Sequence, residues 1–140
     1  MNAYVVDASV AVKWFLPEEH TEQCLRLRAQ PGELHAPDFL WIEVASVVCQ
    51  RIYRGELPAE QGRRIVTTLR AVPMQIVPAA DLLEEATSLA LEASASVYDC
   101  LYLALAVRIG GQMVTADRRL FRKLTPVRFA KRVLWAGAIP

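Results

Sequence analysis

Ala3-Tyr4-Val5-Val6-Asp7 is a run of four strand-forming residues stopped by an acid. Short, apolar and β-rich, it reads as a strand buried on both faces. A second run of the same kind, Met113-Val114-Thr115-Ala116, also ends on an acid, Asp117. Three weaker strand candidates are Leu34-His35-Ala36, Gln75-Ile76-Val77 and Arg132-Val133-Leu134-Trp135. Helical patterns fill the intervals. One is opened by Pro17 with Glu18 and Glu19 in its first turn, runs to about Ala29 and is broken by Pro31-Gly32. Others cover Phe39 to Tyr53, Pro58 to Arg70, Ala79 to Ala93 and Val97 to Ile109, and a short one covers Arg118 to Lys123. Ser94 and Ser96 can cap the helix that starts at Val97, and Gly110-Gly111 closes it. Strands alternating with helices predict an α/β fold with a mostly parallel sheet covered on both faces.

The composition agrees. At 140 residues the chain fits one domain, residues 1–140, and a domain of this size buries roughly two-thirds of its unfolded surface. Hydrophobic residues at 54% against 22% charged exclude disorder. The apolar run Leu101 to Val107 is far shorter than the ~20 residues a bilayer span takes, so no membrane partner is expected. The start, MNAYVVDASV, lacks a basic region and carries Asp7, unlike a secretory signal. A soluble protein of the cytoplasm is expected. Cys24, Cys49 and Cys100 are widely spaced, with no CxxC, and read as buried free thiols. All 15 acids lie at or before Asp117 with nine of the basic residues, and the remaining seven basic residues follow it. A basic end on an acidic body suits an anionic partner, and equally a solvated helix face.

Four acids occupy unusual places. Asp7 and Asp117 follow buried strands, and in open α/β sheets ligands bind beyond the carboxyl ends of strands. One such acid serves as well as a helix cap. Glu43 has Phe39, Leu40, Ser46 and Val47 as its neighbours on its own helix face, so it should point inward, toward a site or a buried arginine. Asp99 lies in the first turn of a helix apolar nearly all round, where the helix N-terminus alone would favour it. Together the four can converge at one end of the sheet. Two carboxylates ~4 Å apart repel by ~4 kcal/mol at an effective dielectric near 20, so such a group must protonate or bind a cation. All-oxygen ligation without histidine or thiolate favours Mg²⁺ or Mn²⁺ over zinc. Ser9 and Thr115, each two residues from a strand-end acid, add hydroxyls. A phosphate ester is the natural substrate of such a centre, and the basic segment starts directly after Asp117.

The chain resembles the PIN-domain ribonucleases, and within them the VapC-type toxins of type II toxin–antitoxin pairs. VVDASV, APDFLWIEV, YDCLYLALA and TADRRL carry the resemblance, fall in the family's order and span nearly the whole chain. The resemblance implies a three-layer α/β/α sandwich with a parallel sheet and Mg²⁺- or Mn²⁺-dependent endonucleolytic cleavage of RNA. It makes Asp7, Glu43, Asp99 and Asp117 the catalytic, metal-binding acids, with Ser9 and Thr115 as supporting hydroxyls. It also implies a homodimer and a cognate antitoxin. Asp7 and Asp99 are expected as direct metal ligands, Asp117 directly or through water, and Glu43 as ligand or as base for the attacking water. Arg118 and Arg119 are candidates for phosphate contacts, or solvated surface arginines.

Rival readings fare worse. A haloacid-dehalogenase-type phosphatase wants a second aspartate where Ser9 stands, and a receiver domain wants a lysine after a late strand. No GxSxG, GxGxxG or P-loop occurs. The rival of another class is a non-catalytic PIN-like module that binds RNA or protein, which has no reason to gather repelling charges.

Overall fold

The computed structural model describes residues 2–30, 32–126 and 128–140. Five strands form one parallel sheet: β1 Ala3–Val6, β2 Glu33–Pro37, β3 Gln75–Val77, β4 Gln112–Thr115 and β5 Val133–Trp135, in the spatial order β3-β2-β1-β4-β5. Among the described residues seven α-helices join them: α1 Ala8–Ala11, α2 Thr21–Ala29, α3 Phe39–Tyr53, α4 Ala59–Ala71, α5 Leu83–Ala93, α6 Val97–Ile109 and α7 Arg118–Leu124. The chain steps outward from β1 to β3, then crosses back to β4 on the other side of β1. Right-handed crossovers therefore put α1 to α4 on one face and α5 and α6 on the other, the expected three layers.

β1 is central, and Val5 and Val6 are fully buried, as are Met113 and Val114 beside them. α6 supplies seven buried residues, from Cys100 to Ala106, which explains why its sequence has no polar face. Its two closing glycines do different jobs. Gly110 takes a left-handed φ of 69°, which ends the helix. A Cβ on Gly111 would run into the Ala3 carbonyl, so Gly111 lets α6 turn in tightly against β1.

Two expectations are corrected and one element is added. The helix predicted from Pro17 begins at Thr21, because Glu18 turns aside to Lys13 and Arg51 and His20 adopts a φ of 66°. Pro31, expected to break it, lies outside the described residues. α1 was not predicted: it is a single turn directly after Asp7, too short to show a period. Of the cysteines, Cys24 and Cys100 are buried, but Cys49 is exposed. α3 buries Leu40, Val44 and Val48, and Cys49 stands about 100° round the helix from that stripe.

Candidate active site

The strand order reverses between β1 and β4, and that is where Asp7 and Asp117 emerge side by side. Each caps the helix that follows. Asp7 Oδ1 accepts from the Val10 N–H at 3.1 Å, and Asp117 Oδ1 from the Leu120 N–H at 3.0 Å. The cap and the site are thus not alternatives, since a capping carboxylate has a second oxygen to offer. Ser9 Oγ donates to Asp7 Oδ1 at 2.5 Å and accepts from the Ala116 N–H at 2.8 Å. Thr115 Oγ1, fully buried and 3.4 Å from Ser9 Oγ, accepts from the Asp117 N–H at 3.1 Å. The two hydroxyls staple the end of β1 to the end of β4.

The other two acids come from opposite layers. Phe39 of α3 stacks on Tyr98 of α6, with ring centroids 5.1 Å apart, so the first turns of the two helices meet above the sheet edge. One turn further on, Glu43 Oε1 accepts from the Tyr102 hydroxyl at 2.6 Å. Its partner is a phenol, not the arginine that a structural ion pair would bring. Asp99 is half-buried in the first turn of α6. Ser96 is the cap there, accepting from the Asp99 N–H at 3.1 Å, so the Asp99 carboxylate is not needed for capping.

The electrostatics tie the four together. Burial pushes Asp7 up to about 6, and the charge of Asp99 adds to it against hydrogen bonds from Ser9, Thr115 and Val10. Glu43 is pushed up to about 7, first by burial and then by Asp7, Asp99 and Asp117, with Tyr102 opposing. Asp99 is also raised, by burial and by Asp117, against Ser96 and Lys123. Each of these shifts names other members of the same four, as one patch of mutually repelling carboxylates requires.

Among the described residues no three of these groups close into a ready-made cage for an ion. The patch is open, and a cleft of about 230 Å³ lined by Asp99, Asp117, Arg119, Leu120 and Lys123 lies against it. An open set of oxygen ligands, three of them raised by burial and by one another, fits a hard divalent cation. Mg²⁺ keeps several waters and takes only one or two carboxylates directly. A roomier apolar groove between α3 and α4, and an apolar pocket between α5 and α6, hold none of the four acids.

The structure separates the two candidate phosphate contacts. Arg118 lies over the Trp135 ring at 4.9 Å, whereas Arg119 lines the cleft. The basic end is dispersed: Arg128 pairs with Glu92 and Arg132 donates to the Gly111 carbonyl. Two residues at the site escaped the sequence reading. Tyr102 reads as one more core residue of α6, and nothing in the sequence sets its hydroxyl apart from that of Tyr98 on the same helix. Lys123 was one of a run of basic residues; its signal was the spacing of four from Arg119, which puts both on one helix face.

The PIN domain family model matches residues 4–125. Ribonuclease VapC3 of Pyrobaculum aerophilum is 36% identical over 121 residues, which are 85% of this chain and 92% of that protein. Among solved structures, PAE2754 from Pyrobaculum aerophilum superposes with a TM-score of 0.70 at 20% identity, over 97% of this chain and 85% of that one. A toxin–antitoxin complex from Klebsiella pneumoniae gives a TM-score of 0.68 at 16% identity, over 95% and 97%.

Proposed function

The chain belongs to the PIN-domain family, and on that premise we propose that it is a metal-dependent endoribonuclease, the toxin of a toxin–antitoxin pair. The observation that carries the proposal is the convergence of four acids from four different elements where the strand order reverses. A 36% identical relative that is a ribonuclease supports the same chemistry, and the likeness to a toxin–antitoxin complex supports an antitoxin partner. One sheet and one contiguous core support a single domain over residues 1–140. In this proposal a second copy of the chain and the antitoxin are its protein partners, the antitoxin supported by the likeness to a toxin–antitoxin complex. No single helix among the described residues is long and apolar enough to cross a membrane.

In this proposal Asp7, Asp99 and Asp117 would hold Mg²⁺ or Mn²⁺, with Glu43 beside them. When bound, the ion supplies charge neutralisation at the phosphate and a lower pKa for water. Ser9 and Thr115 hold the strand-end acids in place. Glu43, tied to Tyr102 through Oε1, has its second oxygen free to take a proton from water as that water attacks the phosphodiester in line and the bond to the departing ribose oxygen breaks. Arg119 and Lys123 hold the RNA phosphate in the cleft, and Arg118 braces Trp135 instead.

The test is cleavage of a mixed pool of structured RNA by wild type and Asp7→Asn, with Mg²⁺, Mn²⁺ or EDTA. Metal-dependent cuts made by wild type alone are expected, and they also reveal the target class. Folded, inhibitor-free wild type that never cuts but still retains RNA would move the reading to the non-catalytic binding module.

A further inference from the structure

We propose that Tyr102 is a positioning residue for Glu43: its hydroxyl fixes which carboxylate oxygen of Glu43 faces the acid patch. The inference rests on the nuclease reading above. Tyr102 is 1% exposed, and the other buried residues of α6 are apolar. Phenylalanine would fill nearly the same space without a donor to satisfy. A buried phenol must find an acceptor, and burying a carboxylate to supply one is costly if packing is the only return. The contact is 2.6 Å, well within the range of a hydroxyl donating to a carboxylate oxygen.

The placement gives the contact its purpose. Tyr102 and Asp99 stand three residues apart on one face of α6. Glu43 arrives from α3, in the opposite layer, on a side chain with three rotatable torsions. Untied, its carboxylate samples several rotamers. Tied at Oε1 to the helix that carries Asp99, it keeps a fixed place relative to that acid, and Oε2 is left for a cation or a water. The stack of Phe39 on Tyr98 holds the same junction one turn away, so the hydroxyl can be removed without parting α3 from α6.

The experiment is a double-mutant cycle on Mn²⁺ binding by the full chain without RNA, using wild type, Tyr102→Phe, Glu43→Ala and the double variant. Partners that orient metal-binding carboxylates typically carry 10- to 100-fold in affinity or activity. Tyr102→Phe should weaken Mn²⁺ binding about tenfold and lower kcat on RNA by about 10- to 100-fold, with KM within about twofold. In the Glu43→Ala background it should change Mn²⁺ affinity by less than about twofold, because its target is gone. Wild-type affinity and kcat in folded Tyr102→Phe would overturn the proposal. So would an equal loss with and without Glu43, which would mark Tyr102 as a packing residue. The cycle still separates these outcomes if the variants melt somewhat lower. Wild type that neither binds Mn²⁺ nor cuts RNA overturns the nuclease reading along with this one; wild type that does both, beside an unaffected Tyr102→Phe, overturns this one alone.

Discussion

Glu85 on α5 and Asp7 behind β1 are carboxylates near the start of a helix, and the molecule surrounds them in opposite ways. Glu85 is at the surface, takes Arg108 at 2.6 Å, and its pKa is lowered by that bond. Glu18 is treated likewise, with Arg51 at 2.6 Å and Lys13 at 3.4 Å. Asp7 is 5% exposed, has a hydroxyl and a backbone N–H for company, and feels Asp99 as a like charge. Glu85 and Glu18, which serve the fold, are given arginines. Acids at the strand reversal are given one another, an arrangement that costs stability until a cation arrives.

The sharpest break of that comparison is to neutralise one acid of each kind. Asp99→Asn should reduce metal-dependent RNA cleavage by about a thousandfold or more, given the several kcal/mol of charge stabilisation an ion supplies. The metal-free melting temperature should stay level or rise, since Ser96 still caps α6 and a repulsion has been removed. Glu85→Gln should do the reverse, leaving cleavage unchanged and lowering the melting temperature slightly. Side-by-side cleavage assays and melts check both. A large loss of metal-free stability in Asp99→Asn would make Asp99 a structural residue.

The contrast also marks what a single sequence discloses. α3, α6 and β3 have the bounds their sequence signals predicted, because each signal is local: Arg54-Gly55 after α3, Ser96 before α6 and Gly110 after it. The start of α2 was misplaced because Glu18, a helix-opening acid by composition, is drawn into ion pairs with residues from two other elements. The acids of the site were conspicuous for the same physical reason that makes them costly, being charges on apolar faces and strand ends. Tyr102 was invisible because a tyrosine in a core helix is ordinary until its hydroxyl is seen to meet Glu43. The spacing of four puts Arg119 and Lys123 on one face of α7, but where that face points is set by packing against β4 and β5, which no period within seven residues discloses.

pH gives a second way to set the two kinds of acid against each other. Asp7 is raised from 3.8 to about 6 in the folded state, so between those values the folded protein holds a proton that the unfolded chain does not. Stability must then fall as pH rises through that window, and return as pH drops toward 4. A lowered acid such as Glu85 runs the other way, its stabilisation lost on acidification. Metal-free Asp7→Asn should therefore be more stable than wild type at pH 8, by on the order of 2–3 kcal/mol, with the advantage gone by about pH 4. Denaturant melts of both proteins in EDTA across that range measure the difference directly. Adding Mn²⁺ should stabilise wild type more at pH 8 than at pH 5, because protons and the ion compete for the same carboxylates. A pH-independent gap between the two proteins would mean that Asp7 is not held against its charge.

The smallest effect concerns the basic residues, where the comparison is between Arg119 or Lys123, which line the cleft, and Arg128, which is paired to Glu92. Lys123→Gln should raise KM for RNA several-fold with little change in kcat, since a phosphate contact binds ground state and transition state alike. It should also flatten the dependence of log KM on log salt by about 0.7 to 0.9, the share of one phosphate contact. Arg119→Gln should do the same, and Arg128→Gln neither. Lys123 also lies close enough to oppose the raised pKa of Asp99, so its loss should weaken wild-type affinity for RNA and strengthen it for Mn²⁺. A change in kcat alone, with the salt slope intact, would place Lys123 among the groups that tune the acids and leave the phosphate grip to Arg119.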